Sequence, residues 1–221
     1  MAAFDSPGAE ELSRDPAWWR IYEDSFPASE REPAEVILDS LRRDAGVAFR
    51  ARSDAGTVGL ATTHLLRQPP AVFLVYLAMD RAHRDRGLGG ALFAHAWRIS
   101  AQHLRRRGLE PLGMVWEVDP PFHSGDLSAR ARRVAFFERC GGSLLPQAYL
   151  QPPVDGVAPV AMRLMYLPAE GTGLPTPDVI GDLIHGIYFE KYAAVNHIPE
   201  ETLNRLLVRT EADAVVIQGI Q

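Results

Sequence analysis

The chain has 221 residues, 47% of them hydrophobic, with 28 acidic against 23 Lys and Arg residues and a net charge of −5. That leaves room for one medium domain with a real core and a small appendage, and the mild acidity argues against nucleic acid as a partner. A single cysteine, Cys140, excludes an intramolecular disulfide and a cysteine-based zinc site. It also fits a reducing, cytoplasmic compartment, as does an N-terminus without the basic start and apolar stretch of a secretory signal. No apolar run is long enough to cross a bilayer.

In chain order, Asp15-Pro16 reads as an N-cap followed by proline at the first helical position, launching a helix through Trp18, Trp19, Ile21 and Tyr22 that stops before Pro27. Ser29 to Glu32 has capping-box spacing, and Pro33 to Asp44 reads as a second helix ending at Gly46. Val47 to Arg52 and Thr57 to Leu66 are apolar or β-branched strands joined by a turn at Asp54-Ala55-Gly56. Pro69-Pro70 breaks the chain before a buried strand, Val72 to Met79.

After that strand comes Arg84-Asp85-Arg86-Gly87-Leu88-Gly89-Gly90. A strand that turns through closely spaced glycines into a helix leaves backbone N–H groups unpaired, with the positive end of the helix dipole behind them. The stretch is therefore an anion cradle. A P-loop would need Gly-Lys-Ser/Thr where Gly89-Gly90-Ala91 stands, and a dinucleotide fingerprint would need a glycine where Leu92 stands.

Leu88, Leu92, Ala96 and Ile99 line one face of the following helix, and Arg105, Arg106 and Arg107 occupy its last turn, beside the negative dipole end. Leu112 to Val118 reads as a strand, Phe122 to Asp126 as a loop, and Leu127, Ala131, Val134 and Phe137 as a helix ended by Gly141-Gly142. Ser143 to Leu150 and Ala158 to Leu167 read as a final strand pair. Beyond a linker at Glu170 to Pro175, Thr176-Pro177 opens a helix striped with Ile180, Leu183, Ile184 and Ile187, and Leu203, Leu206 and Leu207 mark another.

The Arg-x-x-Gly-x-Gly spacing resembles the pyrophosphate loop of the GNAT N-acetyltransferases, and Arg133 to Gly142, with Phe136-Phe137 shortly before a glycine, resembles that family's second signature. The resemblance covers residues 15 to 167 and extends to the order of elements. It implies an α/β, α+β-like acyl-CoA N-acyltransferase fold, a splayed central mixed sheet flanked by helices. Residues 1–167 would form the acetyltransferase domain, and residues 168–221 a helical extension packed on the core or completing a homodimer. The family's first strand is not evident in residues 1 to 14.

By that resemblance the cofactor is acetyl-CoA. Backbone groups of Ala78 and Met79 would hold the pantetheine arm, and an N–H near Met79 would polarise the thioester. Arg84, Asp85, Arg86, Gly87, Leu88, Gly89 and Gly90 would surround the pyrophosphate, and Phe137 would sit beside the coenzyme. The substrate would be a small-molecule or protein amine, with no nucleic acid, membrane or metal involved. An amine arrives protonated, so a base must act before attack. Glu117, between Trp116 and Val118, is the preferred base, with Asp119 and His123 just beyond.

Many family members carry a tyrosine where this chain has Phe137, so either the thiolate leaves without an enzymic acid or another hydroxyl substitutes, with Tyr149 the first candidate. Cys140 at a helix C-terminus reads as packing, and His64 and Tyr76 read as core. Two alternatives stay open, a non-catalytic acyl-CoA sensor and transfer of a longer acyl chain.

Overall fold

In the computed structural model, which describes residues 2–54, 56–120, 127–154, 156 and 158–218 and the side chains of all these except Ser29 and 210–218, the Asp15 carboxylate accepts the Trp18 N–H at 3.0 Å. Pro16 then supplies the first helical φ, and the helix runs Pro16–Ser25. The chain divides into two units, Met1–Leu65 with Val72–Glu110, and Leu66–Ala71 with Pro111–Gln221.

The first unit contains helices α1 (Ala9–Ser13), α2 (Pro16–Ser25), α3 (Ala34–Arg42) and α4 (Leu88–Arg106). Its strands are β1 (Ala3–Asp5), β2 (Gly46–Ser53), β3 (Gly56–Arg67) and β4 (Pro70–Met79), ordered β1-β2-β3-β4. The tip of the β3–β4 hairpin belongs to the second unit. Strand β1, unmarked in the sequence, lies antiparallel to β2 with Ala3 opposite Arg52. Three residues are too few to show an alternating pattern, and β1 is held by Arg50, which donates to Asp5 at 2.8 and 3.0 Å. Trp18, Ile21 and Tyr22 of α2 and Ile37 and Leu38 of α3 pack on Ala48, Leu60, Tyr76 and Ala78 of the sheet.

The stretch where capping-box spacing was expected is a short 3-10 turn, Ala28–Glu30, and α3 starts at Ala34 with Pro33 at its N-cap position and no side-chain cap. The Tyr76 phenol takes over the pinning of this stretch, accepting the Glu32 N–H at 3.0 Å and donating to the Glu30 carbonyl at 2.8 Å. It thereby satisfies backbone groups that a helix ladder would otherwise satisfy.

In the second unit β5 (Gly113–Val118) lies antiparallel to β8 (Val160–Pro168), with Glu117 opposite Leu164. The expected strand Ser143 to Leu150 is two strands, β6 (Ser143–Leu144) and β7 (Tyr149–Gln151), both paired with β8. Pro146, which has no N–H to give a ladder, stands between them. Helix α5 (Leu127–Arg139) sets Phe137 against Trp116 at 4.9 Å between ring centroids. Gly142 is required there, since a Cβ would stand 2.7 Å from the Trp116 ring.

Helix α6 (Pro177–Gly186) begins at Thr176, whose side chain caps the Val179 N–H, and runs directly into a π-helical turn, Ile187–Ala193. Helix α7 (Glu200–Gln218) follows. Ile180, Leu183, Ile184 and Ile187 are all buried. Glu190 accepts the N–H groups of Arg67 and Gln68 at 2.8 and 2.9 Å, so residues beyond 168 are built into the second unit.

Candidate active site

Strand β4 ends at Met79, and Asp80 caps a 3-10 turn, Arg81–His83, by accepting the Ala82 N–H at 3.0 Å. Arg84 turns back and donates its Nε to the Met79 carbonyl at 3.1 Å, so that carbonyl already holds the loop. Met79 lays its thioether over Gly59, where an added Cβ would meet the sulfur at 2.4 Å. Asp85 and Gly87 take positive φ, 60° and 76°, which turns successive N–H groups toward one side. At Gly87 an added Cβ would meet nothing within 4 Å, so the space above the turn is open.

The first bond of the α4 ladder is donated by Ala91 to the Gly87 carbonyl at 3.2 Å, so the N–H groups of Leu88, Gly89 and Gly90, in the first helical turn, have no carbonyl of the helix to bond. The first turn of α4 has no acidic residue to fill the helix end. Arg84 and Arg86 are exposed beside it. Unpaired donors, a positive helix end and two guanidinium groups fit a pyrophosphate. Asp85, also exposed, is the one like charge within the loop.

A second cluster forms in the other unit, around Glu117. Residues directly opposite across a ladder share a face, so the register puts Glu117 with Leu164, and Tyr149 and Gln151 with Met162 and Val160, all on one face. The Tyr149 phenol donates to Oε1 of Glu117 at 2.5 Å, and Gln151 donates its Nε2 to Oε2 at 2.7 Å. Tyr192, from the π-helical turn, bridges both oxygens at 2.9 and 3.0 Å. Burial, and after it the Glu117 charge, pushes the Tyr149 phenol well above its ordinary value, so it stays a proton donor.

The acetyltransferase (GNAT) family model matches residues 16–141. The chain belongs to the GNAT acetyltransferase family. A Bacteroides thetaiotaomicron protein assigned to the same family aligns with 19% identity and a TM-score of 0.67, over 89% of this chain and 99% of that one. The Escherichia coli ribosomal-protein-S18-alanine N-acetyltransferase aligns at 19% identity and 0.52, over 79% and 100%. Arabidopsis thaliana NAA60, in complex with a bisubstrate analogue, aligns at 16% and 0.57, over 78% and 100%. No curated protein matches the chain.

As a GNAT member the protein is an acetyltransferase with acetyl-CoA as its acyl donor, and the loop Arg84 to Gly90 has the chemistry to hold that donor's pyrophosphate. The other GNAT positions read from the sequence fall in varied places. Ala78 and Met79 are buried at the end of β4, and Leu88, Gly89 and Gly90 are half-buried in the first turn of α4. Phe137 is buried and offers only its ring. Asp119 is taken up by Arg133 at 2.5 Å, and His123 lies outside the described residues. Burial pushes the Cys140 thiol up, away from a reactive thiolate. Among the described residues no group of three or more His, Cys, Asp or Glu is placed to hold a metal, and no helix is long and apolar enough to cross a membrane.

Tyr192 and Gln151 were not legible as partners of Glu117. Gln151 sits on a strand too short to show alternation, and Tyr192 is 75 residues away in an extension whose sequence signals only burial. One local sign existed, since Tyr188 and Tyr192 stand four apart, on one helix face.

Proposed function

We propose that this protein transfers an acetyl group from acetyl-CoA to a primary amine of a small molecule or a protein, by direct attack of the amine on the thioester. The observation that carries the reading is the start of α4 behind the left-handed turn at Gly87, a helix end whose first-turn N–H groups precede the ladder and meet no acidic residue, with Arg84 and Arg86 exposed beside it. When bound, acetyl-CoA supplies the acyl group in activated form. Arg84, Arg86 and the backbone from Gly87 to Gly90 bind and orient its pyrophosphate, and the backbone at Ala78 and Met79 holds its arm.

In this reading a carboxylate oxygen of Glu117 takes the proton from the incoming ammonium, directly or through water, with Tyr149, Gln151 and Tyr192 keeping the carboxylate in place. Phe137 has no proton to give a departing thiolate, and the single phenolic proton of Tyr149 is directed at Glu117. The thiolate therefore leaves without a dedicated side-chain acid, unless Tyr149 reorients. A cytoplasmic location suits the one cysteine. Residues 168–221 are built into one unit with Pro111 onward, through Tyr188 on Leu150 and Tyr192 on Glu117.

The test is release of free thiol from acetyl-CoA across a panel of primary amines, followed by mass analysis of the product. An added acetyl group on an amine, with matching thiol release, is expected. Tight coenzyme A binding with no turnover on any amine would leave a sensor in place of an enzyme.

A further inference from the structure

Among the described residues, donors from two separate parts of the chain converge on Glu117, and the most distant is Tyr192. Its phenol is nearly equidistant from the two carboxylate oxygens, at 2.9 and 3.0 Å, while Tyr149 addresses Oε1 and Gln151 addresses Oε2. Two donors from one short strand hold the carboxylate along an edge. A third from another element fixes its rotation about the side-chain axis.

The backbone that supplies Tyr192 departs from an α-helix at this place. Ile187–Ala193 is a π-helical turn, with Ala194 donating to the Phe189 carbonyl and Asn196 to the Lys191 carbonyl. Such turns are rare and occur often at functional sites. Both tyrosines of the turn point into the unit. Tyr188 donates to the Leu150 carbonyl at 2.5 Å and Tyr192 to Glu117, and both are buried.

We propose that Tyr192 is a positioning residue which orients Glu117 and sets its affinity for a proton, so that the C-terminal extension is part of the proton-transfer apparatus. The proposal rests on the reading of Glu117 as the proton acceptor. Among the described residues, Tyr149 and Gln151 from β7 and Tyr192 from the π turn donate to the carboxylate, and apolar Leu164 stands opposite across the ladder. Tyr188 stands behind Tyr149 at 5.7 Å, buried Lys191 precedes Tyr192 in the turn, and Asp119, two residues along β5, is engaged by Arg133.

The experiment uses the full chain labelled with 13C at the Glu side-chain carboxyl, the Glu117 signal being assigned by its loss in Glu117→Gln. In Tyr192→Phe the ring still fills its place while one donor to the ionised carboxylate is gone, so the Glu117 midpoint should move to higher pH by about one pH unit. The acid limb of kcat/KM should move with it, with KM for acetyl-CoA unchanged. Tyr188→Phe removes a phenol that serves a backbone carbonyl, and should lower thermal stability without moving the Glu117 midpoint.

An unmoved midpoint in folded Tyr192→Phe, or an equal movement in Tyr188→Phe, overturns the proposal. Should Tyr192→Phe fail to fold, 3-fluorotyrosine placed at position 192 makes the phenol a stronger donor and should move the midpoint down, and no movement overturns the proposal equally. The carboxyl titration needs no substrate, so it separates the two readings. A midpoint that responds to Tyr192 while Glu117→Gln retains full turnover defeats Glu117 as the base and leaves the coupling intact.

Discussion

Replacing Gly89 with Glu should stabilise the fold slightly and remove coenzyme A binding, two effects of opposite sign from one side chain. Gly89 lies inside α4 and is not among the glycines with positive φ, so a larger residue fits the backbone there. Glu is a better helix former than Gly by roughly 0.5 kcal/mol. A carboxylate in the first helical turn adds about 0.3 to 1 kcal/mol against the dipole. The folded protein should gain about 1 kcal/mol.

For the anion the same side chain brings bulk and a like charge to the first helical turn, whose N–H groups precede the α4 ladder. Hydrogen bonds to a charged group contribute about 1.5 to 3 kcal/mol each, so losing two of them weakens binding by at least about 100-fold. Calorimetry with coenzyme A and a thermal melt read the two effects separately. Gly89→Gln, of equal size without the charge, divides bulk from repulsion. Unchanged coenzyme A affinity in a folded Gly89→Glu protein would refute the cradle.

Glu117→Gln should lower turnover by about 100-fold or more while leaving acetyl-CoA affinity unchanged, and Tyr149→Phe should lower it less. Wild-type rates across pH in a thiol-release assay would remove Glu117 from the mechanism. Burial raises the folded phenols of Tyr76, Tyr149 and Tyr166, the last to about 12. Unfolded tyrosines ionise near pH 10, so their contribution is complete below that pH and declines above it, by up to about 1.4 kcal/mol per group per pH unit. For Tyr166 the decline spans pH 10 to about 12. Melting temperatures that stay level from pH 9 to 11 would contradict this. Ending the chain after Glu170 uncovers the partners of Ile180, Leu183, Ile184 and Ile187, each contributing about 1.5 to 3 kcal/mol when buried. The truncated protein should be insoluble or much less stable, and an unchanged melting temperature would show the extension to be independent.

Local signals in the sequence determined the α2 cap at Asp15-Pro16, the long helix after the glycine loop, and the strand that carries Glu117, because each depends on neighbours within a few residues. The turn at Gly87 into α4 was legible for the same reason, since glycine and a helix start act on neighbouring backbone groups. Strand β1 was not, because three residues carry no periodicity and only pairing with β2 makes them a strand. The split between β6 and β7, the π turn and the meeting of Glu117 with Tyr149, Gln151 and Tyr192 were decided by tertiary structure. Hydrogen bonds between side chains distant in sequence depend on how elements pack, and no local pattern encodes them.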